Sequence, residues 1–206
     1  MIGIICPSKF EHQALRPISF PRNTVSLCVS GMGKIRALHT CHSLWRLCPR
    51  LKGILLVGFA GGLTPNLKVG DVVEPTFFIE QDYDARPFEQ YPNVIQKGSR
   101  GTWGVRLLKS ALDATMLTQD RFLKENPYRN AGVYLGKNKR LSCDMESYAV
   151  AYFCESSKIR YSVIKLISDV ADKHADHDFL NACLRLAPKL KNTIFEAVGK
   201  MRALRL

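Results

Sequence analysis

Short apolar runs set off by glycine, proline and polar turns alternate along this chain with stretches in which apolar residues recur every three or four positions. Residues 2–6 (IGIIC) and 24–30 (TVSLCVS) are rich in strand-favouring side chains. After Gly31 and Gly33, the residues Ile35, Leu38, Cys41 or His42, Trp45 and Cys48 fall at helical spacing until Pro49 ends the run. Residues 53–57 are nearly all apolar, as a strand buried on both faces requires, and lead into Gly58, Gly61 and Gly62. Residues 71–80 read as another strand, with an edge or bulge implied by Pro75. Residues 81–103 hold Pro87, Pro92, Gly98 and Gly101 among polar residues and aromatics, and read as a long loop of the kind that tends to be functional. The next stretch has no clear period beyond a strand near 114–118. A helix over 144–156, with Met145, Tyr148, Ala149 and Tyr152 on one face, precedes a strand over 161–168. A last helix over 178–204 shows Leu180, Leu184, Ala187, Leu190, Ile194, Val198 and Met201, kinked at Pro188. Strands alternating with helices predict an α/β fold, with a central, largely parallel sheet flanked by helices. With no repeat and no linker, residues 1–206 are expected to form one domain.

Composition narrows the class. A chain of 206 residues can bury roughly 70% of its unfolded surface without a disulfide or metal staple. Its 46% apolar and 23% charged residues exclude a disordered chain. No run of about 18 apolar residues is present to span a bilayer. The opening MIGIICPSKF reads as a strand and not a signal peptide, so the expected location is cytoplasmic. Seven scattered cysteines without a C-x-x-C pair fit reduced core thiols. The net charge of +12 raises the question of a nucleic-acid partner, yet it divides into +5 over residues 1–100 and +7 over the rest. The one local bias, Arg185 to Arg205, also carries an apolar period and reads as a solvated helix face, so no nucleic-acid or membrane partner is expected.

Ligands of such sheets bind beyond the strand C-termini. Glu11 follows the first strand, S-G-M-G-K (30–34) the second and G-F-A-G-G (58–62) the third, while I-S-D (167–169) closes the strand at 161. D-M-E-S (144–147) opens a helix. The glycine clusters match neither G-x-x-x-x-G-K-[ST] nor G-x-G-x-x-G, and read alone they are tight turns as readily as cradles. Read alone, Asp144 and Glu146 equally suit a helix's first turn, and Asp169 the start of a turn. The pairs His39/His42 and His174/His177 lack a third ligand nearby in sequence, so no metal is expected.

Taken in order, G-I-I…E, S-G-M-G-K, G-F-A-G-G-L-T-P-N-L-K-V-G-D-V-V, D-M-E-S-Y-A-V-A and V-I-K-L-I-S-D-V-A-D resemble the nucleoside phosphorylase superfamily, and within it the 5′-methylthioadenosine/S-adenosylhomocysteine nucleosidases. The resemblance implies hydrolysis of the N-ribosidic bond of 5′-substituted adenine nucleosides, without cofactor or metal, by a homodimer. It casts Asp169 as the acid that protonates purine N7, with Ser168 holding its carboxyl. Glu146 would bind the ribose hydroxyls, Met145 would pack beneath the sugar, and Glu11 would activate water. Phe122 would stack on the base and the Leu123 backbone would read its edge. Phe179 would cover the 5′ substituent, and Phe59, close to the base or the water, and Gly61 would belong to the substrate-binding site.

Superfamily phosphorylases need a cationic pocket for phosphate, usually with arginine. The loop PSKFEHQ and the residues before Ala60 supply no such arginine; Lys9, Lys34 and Arg16 are mismatched substitutes, so hydrolysis is favoured over phosphorolysis. Three departures separate the chain from the nucleosidases. Phe59 stands where they carry a small hydroxyl residue, Asp144 replaces a glutamate, and the segment 81–120 is shorter. Methylthioadenosine, S-adenosylhomocysteine and 6-amino-6-deoxyfutalosine of menaquinone biosynthesis share adenine and ribose, so the substrate stays open among them. A phosphate-dependent phosphorylase of the same superfamily and an inactive, basic binding protein are the alternatives.

Overall fold

The computed structural model describes residues 1–15, 19–21, 24–83, 94–97, 101–127 and 139–204. Among these residues nine strands form one mixed sheet: β1 (Ile2–Cys6), β2 (Val25–Val29), β3 (Gly53–Gly62), β4 (Val72–Val73), β5 (Phe77–Glu80), β6 (Val94–Gln96), β7 (Thr115–Thr118), β8 (Leu141–Asp144) and β9 (Tyr161–Asp169). The main path runs β2-β1-β3-β8-β7-β5-β6, with β9 paired to β3 and β4. Pairs β1/β2, β1/β3, β3/β9, β5/β7 and β7/β8 are parallel, whereas β3/β8, β4/β9 and β5/β6 are antiparallel. The sheet is therefore mixed and largely parallel, as the alternation of elements predicts.

Among the described residues five helices cover it: α1 (Lys9–Leu15), α2 (Lys34–Leu47), α3 (Ser147–Ser156), α4 (Ala175–Arg185) and α5 (Ala187–Ala203). They divide the core into two layers. Ala37, Cys41 and Leu44 of α2 join Val150, Phe153 and Cys154 of α3 over one face of the sheet, against Ile54, Leu56 and Val163. Ala182 and Cys183 of α4 and Leu190, Ile194, Val198 and Met201 of α5 close the other, against Leu55, Val57 and Ile164. Each large aliphatic side chain buried this way contributes about 2 kcal/mol. All seven cysteines are free thiols.

Several elements differ from the sequence expectation, each for an identifiable reason. The run 71–80 is two strands with different partners: β4 pairs with β9 and β5 with β7, divided around Pro75, which cannot donate to a ladder. The expected long loop contains β6, an antiparallel partner of β5, while residues 84–93 and 98–100 lie outside the described residues. The last helix is two helices broken at Leu186, and Pro188 sits in the first turn of α5, where its missing N–H costs nothing. Residues 141–144 form a strand before α3, so D-M-E-S spans a strand end and a helix cap and does not lie inside a helix. The segment after β1 begins a short helix rather than a loop. On α2 the face buried is Ala37, Cys41 and Leu44, whereas Ile35 (79% exposed), Leu38 and Trp45 point outward.

Candidate active site

β1 ends beside the middle of β3, β3 and β9 run on together to Gly61 and Asp169, and β8 reaches β3 from the opposite direction at Gly61 and Gly62. Around this junction opens a cleft. Glu11, Glu146 and Asp169 line it, as do Met145, Ser168, Phe59, Gly61, Phe122, Leu123 and Phe179. The site residues expected from the sequence thus come from six separate segments to a single cavity.

Glu11 reaches the cleft through a capping box. Ser8 and Glu11 fall in an S-x-x-E pattern at the start of α1: the Glu11 N–H donates to Ser8 Oγ (3.1 Å), and the Ser8 N–H donates to Glu11 Oε2 (2.7 Å). The other carboxylate oxygen accepts from the Phe59 N–H at 2.9 Å. A Cβ on Gly58 would collide with that oxygen, so glycine is required for the strand to pass so close. Burial raises the Glu11 pKa above the ordinary carboxylate value, against the opposing pull of Lys165 and these hydrogen bonds.

Asp169 depends on a bulge. In the β3/β9 ladder Ala60 faces Ile167 and Gly61 faces Asp169, so Ser168 is the extra residue. A bulge re-aims a side chain, and both Ser168 and Asp169 consequently line the cleft, although neighbours on a regular strand point to opposite faces. Ser168 Oγ lies 2.6 Å from Asp169 Oδ2 and 3.3 Å from the Ala60 carbonyl oxygen, and the Ala171 N–H donates to Oδ1 at 2.9 Å. A Cβ on Gly61 would lie 2.9 Å from Cys143 Sγ and 3.1 Å from Asp169 Oδ1, too tight for either neighbour. Burial raises the Asp169 pKa, with Asp178 and Asp172 adding to it and the hydrogen bonds opposing it.

Glu146 caps α3, and its Oε1 accepts from the Gly33 N–H at 3.0 Å, tying the S-G-M-G-K turn to D-M-E-S. Beneath it lies Lys165, wholly buried in the middle of β9, with Nζ 3.0 Å from Asp144 Oδ2 and 3.5 Å from Glu146 Oε2. Asp144 also accepts from Thr118 Oγ1 and the Ser147 N–H, which occupies its lone pairs with structure. Burial, joined by the repulsion of Asp144 and Glu11 and opposed by Lys165, raises the Glu146 pKa to about 7. Burial works against the Lys165 ammonium, but Asp144, Glu146 and Glu11 together outweigh it and hold its pKa above the lysine norm. The sequence motifs do not single out Lys165; the signal that could is a lone cation in an otherwise uncharged strand interior, YSVIKLIS, a position that only buried acids make tolerable.

Three aromatic rings wall the cavity. Phe179 of α4 stands edge-on to Phe59 (centroids 6.1 Å) and to Phe122 (6.2 Å). The bulk of Phe59 is turned into the core layer beneath α4 and α5, and its backbone serves Glu11. Leu123 packs with Leu63, Leu117, Leu141 and Ala171 under the Asp169 end. Of the substitute phosphate cations, Lys34 is engaged by Glu80 (2.7 Å) and Asp82 (2.5 Å), Lys9 is exposed and lies outside the cavity lining, and Arg16 lies outside the described residues. Arg121, which no sequence motif marks, also lines the cavity.

Known proteins resemble this chain in sequence and in fold. Residues 18–198 match the Phosphorylase superfamily. A 5′-methylthioadenosine/S-adenosylhomocysteine nucleosidase from Anoxybacillus flavithermus is 29% identical over 169 residues, covering 75% of this chain and 72% of that one. In fold the chain is similar to the Helicobacter pylori nucleosidase of the same name (TM-score 0.78, 20% identity, 96% and 97% of the two chains). It is similar also to the futalosine hydrolase of that organism (TM-score 0.76, 18% identity, again 96% and 97%). With the family matched over most of its length, this chain belongs to the phosphorylase superfamily.

Proposed function

We propose that the protein is an N-ribosyl hydrolase that releases adenine from 5′-substituted adenine nucleosides. The observation that carries this reading is the meeting of three buried acids from separate segments around one cavity, each with its pKa raised by burial. Adenine leaves poorly until it is protonated, so the acid that serves it must hold its proton near neutral pH. Burial shifts Asp169 in that direction, and its proton goes to purine N7 as the C1′–N9 bond breaks. Glu146 accepts the ribose hydroxyls and stabilises the oxocarbenium-like sugar, with Met145 packed beneath it. Water bonds to C1′ from the opposite side and passes its proton to Glu11, a stronger base for its raised pKa. The products are adenine and the 5′-substituted ribose.

Phe122 and Leu123 hold the base, Phe179 covers the substituent, Ser168 orients Asp169, and Lys165 sets the spacing and charge of Asp144 and Glu146. Water is favoured over phosphate because Glu11 would repel a phosphate dianion and Lys34 is already paired with two acids. The named relatives act on methylthioadenosine, S-adenosylhomocysteine or futalosine, and aminodeoxyfutalosine presents the same adenine and ribose. Ile35, Leu38, Trp45 and Tyr152, exposed on the adjoining surfaces of α2 and α3, suit a homodimer contact, and seven free thiols suit the cytoplasm. Purified protein is offered each nucleoside in phosphate-free buffer while adenine and sugar are measured. Adenine with free ribose sugar is the expected result. Release that requires phosphate and yields a ribose 1-phosphate would replace hydrolysis with phosphorolysis.

A further inference from the structure

The cavity is lined by four acids, Glu11, Asp144, Glu146 and Asp169, and among the described residues by a single cation, Arg121. None of the acids pairs with it: Asp144 and Glu146 are held by Lys165, Glu11 by two backbone N–H groups and Asp169 by Ser168 and Ala171. Neighbouring Asp120 is used as well, accepting from the Lys34 N–H at 2.8 Å. Among the described residues the Arg121 guanidinium has no hydrogen-bond or ion-pair partner, and its side chain is exposed at the cavity wall. We propose that Arg121 selects nucleosides whose 5′ substituent carries a carboxylate. This inference rests on the nucleosidase reading.

The loop from Asp120 to Leu123 runs along the cavity between the two ends of the bound nucleoside. Its first residue is tied to Lys34, next to Gly33, which holds Glu146 at the sugar end. Its last packs on Ala171, whose N–H holds Asp169 at the base end. Arg121 lines the same wall as Met32, next to Phe122, whose ring meets that of Phe179, the residue assigned to cover the 5′ substituent, at 6.2 Å between centroids. A planar guanidinium matches a carboxylate or a phosphate in two parallel hydrogen bonds. One exposed arginine among four acids is too weak to gather free phosphate dianion. A carboxylate tethered to a nucleoside already held by its base and ribose arrives at high effective concentration and needs only a modest contact.

The test uses S-adenosylhomocysteine and its decarboxylated analogue, which keep the same adenine, ribose, thioether and amine. Affinities are read by calorimetry in an Asp169→Asn background, so that no ligand is consumed, with Arg121 intact, as Arg121→Ala and as Arg121→Lys; thermal melts check folding. The expected result is that Arg121→Ala weakens the carboxylate ligand about tenfold relative to the analogue. Lysine should restore part of that preference, and added salt should shrink it. An unchanged ratio overturns the inference and leaves the nucleosidase reading standing. Inorganic phosphate that binds in an Arg121-dependent way overturns it in favour of phosphate. Failure of both nucleosides to bind at all overturns the nucleosidase reading itself, and this inference with it.

Discussion

Two lysines are buried against carboxylates on this sheet, and they live in opposite circumstances. Near the start of β9, Glu74 accepts from the Leu107 N–H (2.6 Å), the Leu108 N–H (2.8 Å), Ser162 Oγ (2.7 Å) and Lys97 Nζ (3.3 Å). Four donors serve one acid, and burial lowers the Lys97 pKa despite the pull of Glu74. Farther along the same strand, Lys165 faces Asp144 and Glu146 and feels Glu11, so three acids draw on one cation. There the shortage falls on the acids, and Glu146 is pushed to about 7. Surplus donors make an inert polar knot that locks β9 to the 104–108 segment. Surplus acids leave one carboxyl, that of Glu146, whose protonation is open to change near neutral pH.

The sharpest way to separate the two is to compare an acid from each end of β9. Asp169→Asn is expected to lower kcat by about two to four orders of magnitude, because an amide delivers no proton to the base. Glu74→Gln, about 20 Å along the strand at roughly 3.3 Å per residue, is expected to lower the unfolding free energy and leave kcat within a factor of a few. Steady-state adenine release and urea titration of both variants decide the matter. A loss of only a few-fold in Asp169→Asn would remove it from the role of general acid.

Much of the cleft is legible in the sequence because strand ends in an α/β sheet declare themselves by composition. The run 53–57 into G-F-A-G-G and the run 161–168 into I-S-D are continuous apolar segments ending in small or polar residues. What escapes is whatever depends on contacts between distant segments. The capping box at Ser8 and Glu11 is the exception, a local pattern that predicts a helix where the sequence analysis reads only a strand end. The bulge at Ser168 exists only because β3 and β9 slip by one residue, and the dual role of D-M-E-S only because β8 forms beside β7. On α2 the helical period is clear, but the series it picks through Ile35, Leu38 and Trp45 is the exposed one, and packing against α3 rather than hydrophobicity buries Ala37, Cys41 and Leu44.

Removing each lysine tests the donor count next. Lys165→Met leaves two buried carboxylates without a cation, Glu146 keeping only the Gly33 N–H and Asp144 the Thr118 hydroxyl and Ser147, and should cost about 3–5 kcal/mol of stability, or prevent folding at neutral pH. Lys97→Met leaves Glu74 its two backbone N–H groups and the Ser162 hydroxyl, so a cost of about 1–3 kcal/mol is expected. Urea midpoints at matched pH read both. Equal costs would erase the distinction between a knot with donors to spare and a cluster with acids to spare.

The most specific test is the sign of the pH dependence, since the two clusters should respond to pH in opposite directions. Glu146 is an acid whose folded pKa, about 7, stands above its unfolded value of 4.5. Its contribution to stability is therefore complete below pH 4.5 and is lost as pH rises through about 7, an amount of roughly 2–4 kcal/mol. Lys97 is a base with a lowered folded pKa, so its contribution is complete above its unfolded value of 10.5 and is lost as pH falls through the folded one. Glu146→Gln should accordingly flatten the fall in unfolding free energy between about pH 5 and pH 7.5, whereas Lys97→Met should remove a contribution of the opposite sign, one that rises with pH. A Glu146→Gln profile that still falls across neutral pH would move the titrating group elsewhere in the cleft, with Glu11 and Asp169, both raised by burial, next in line.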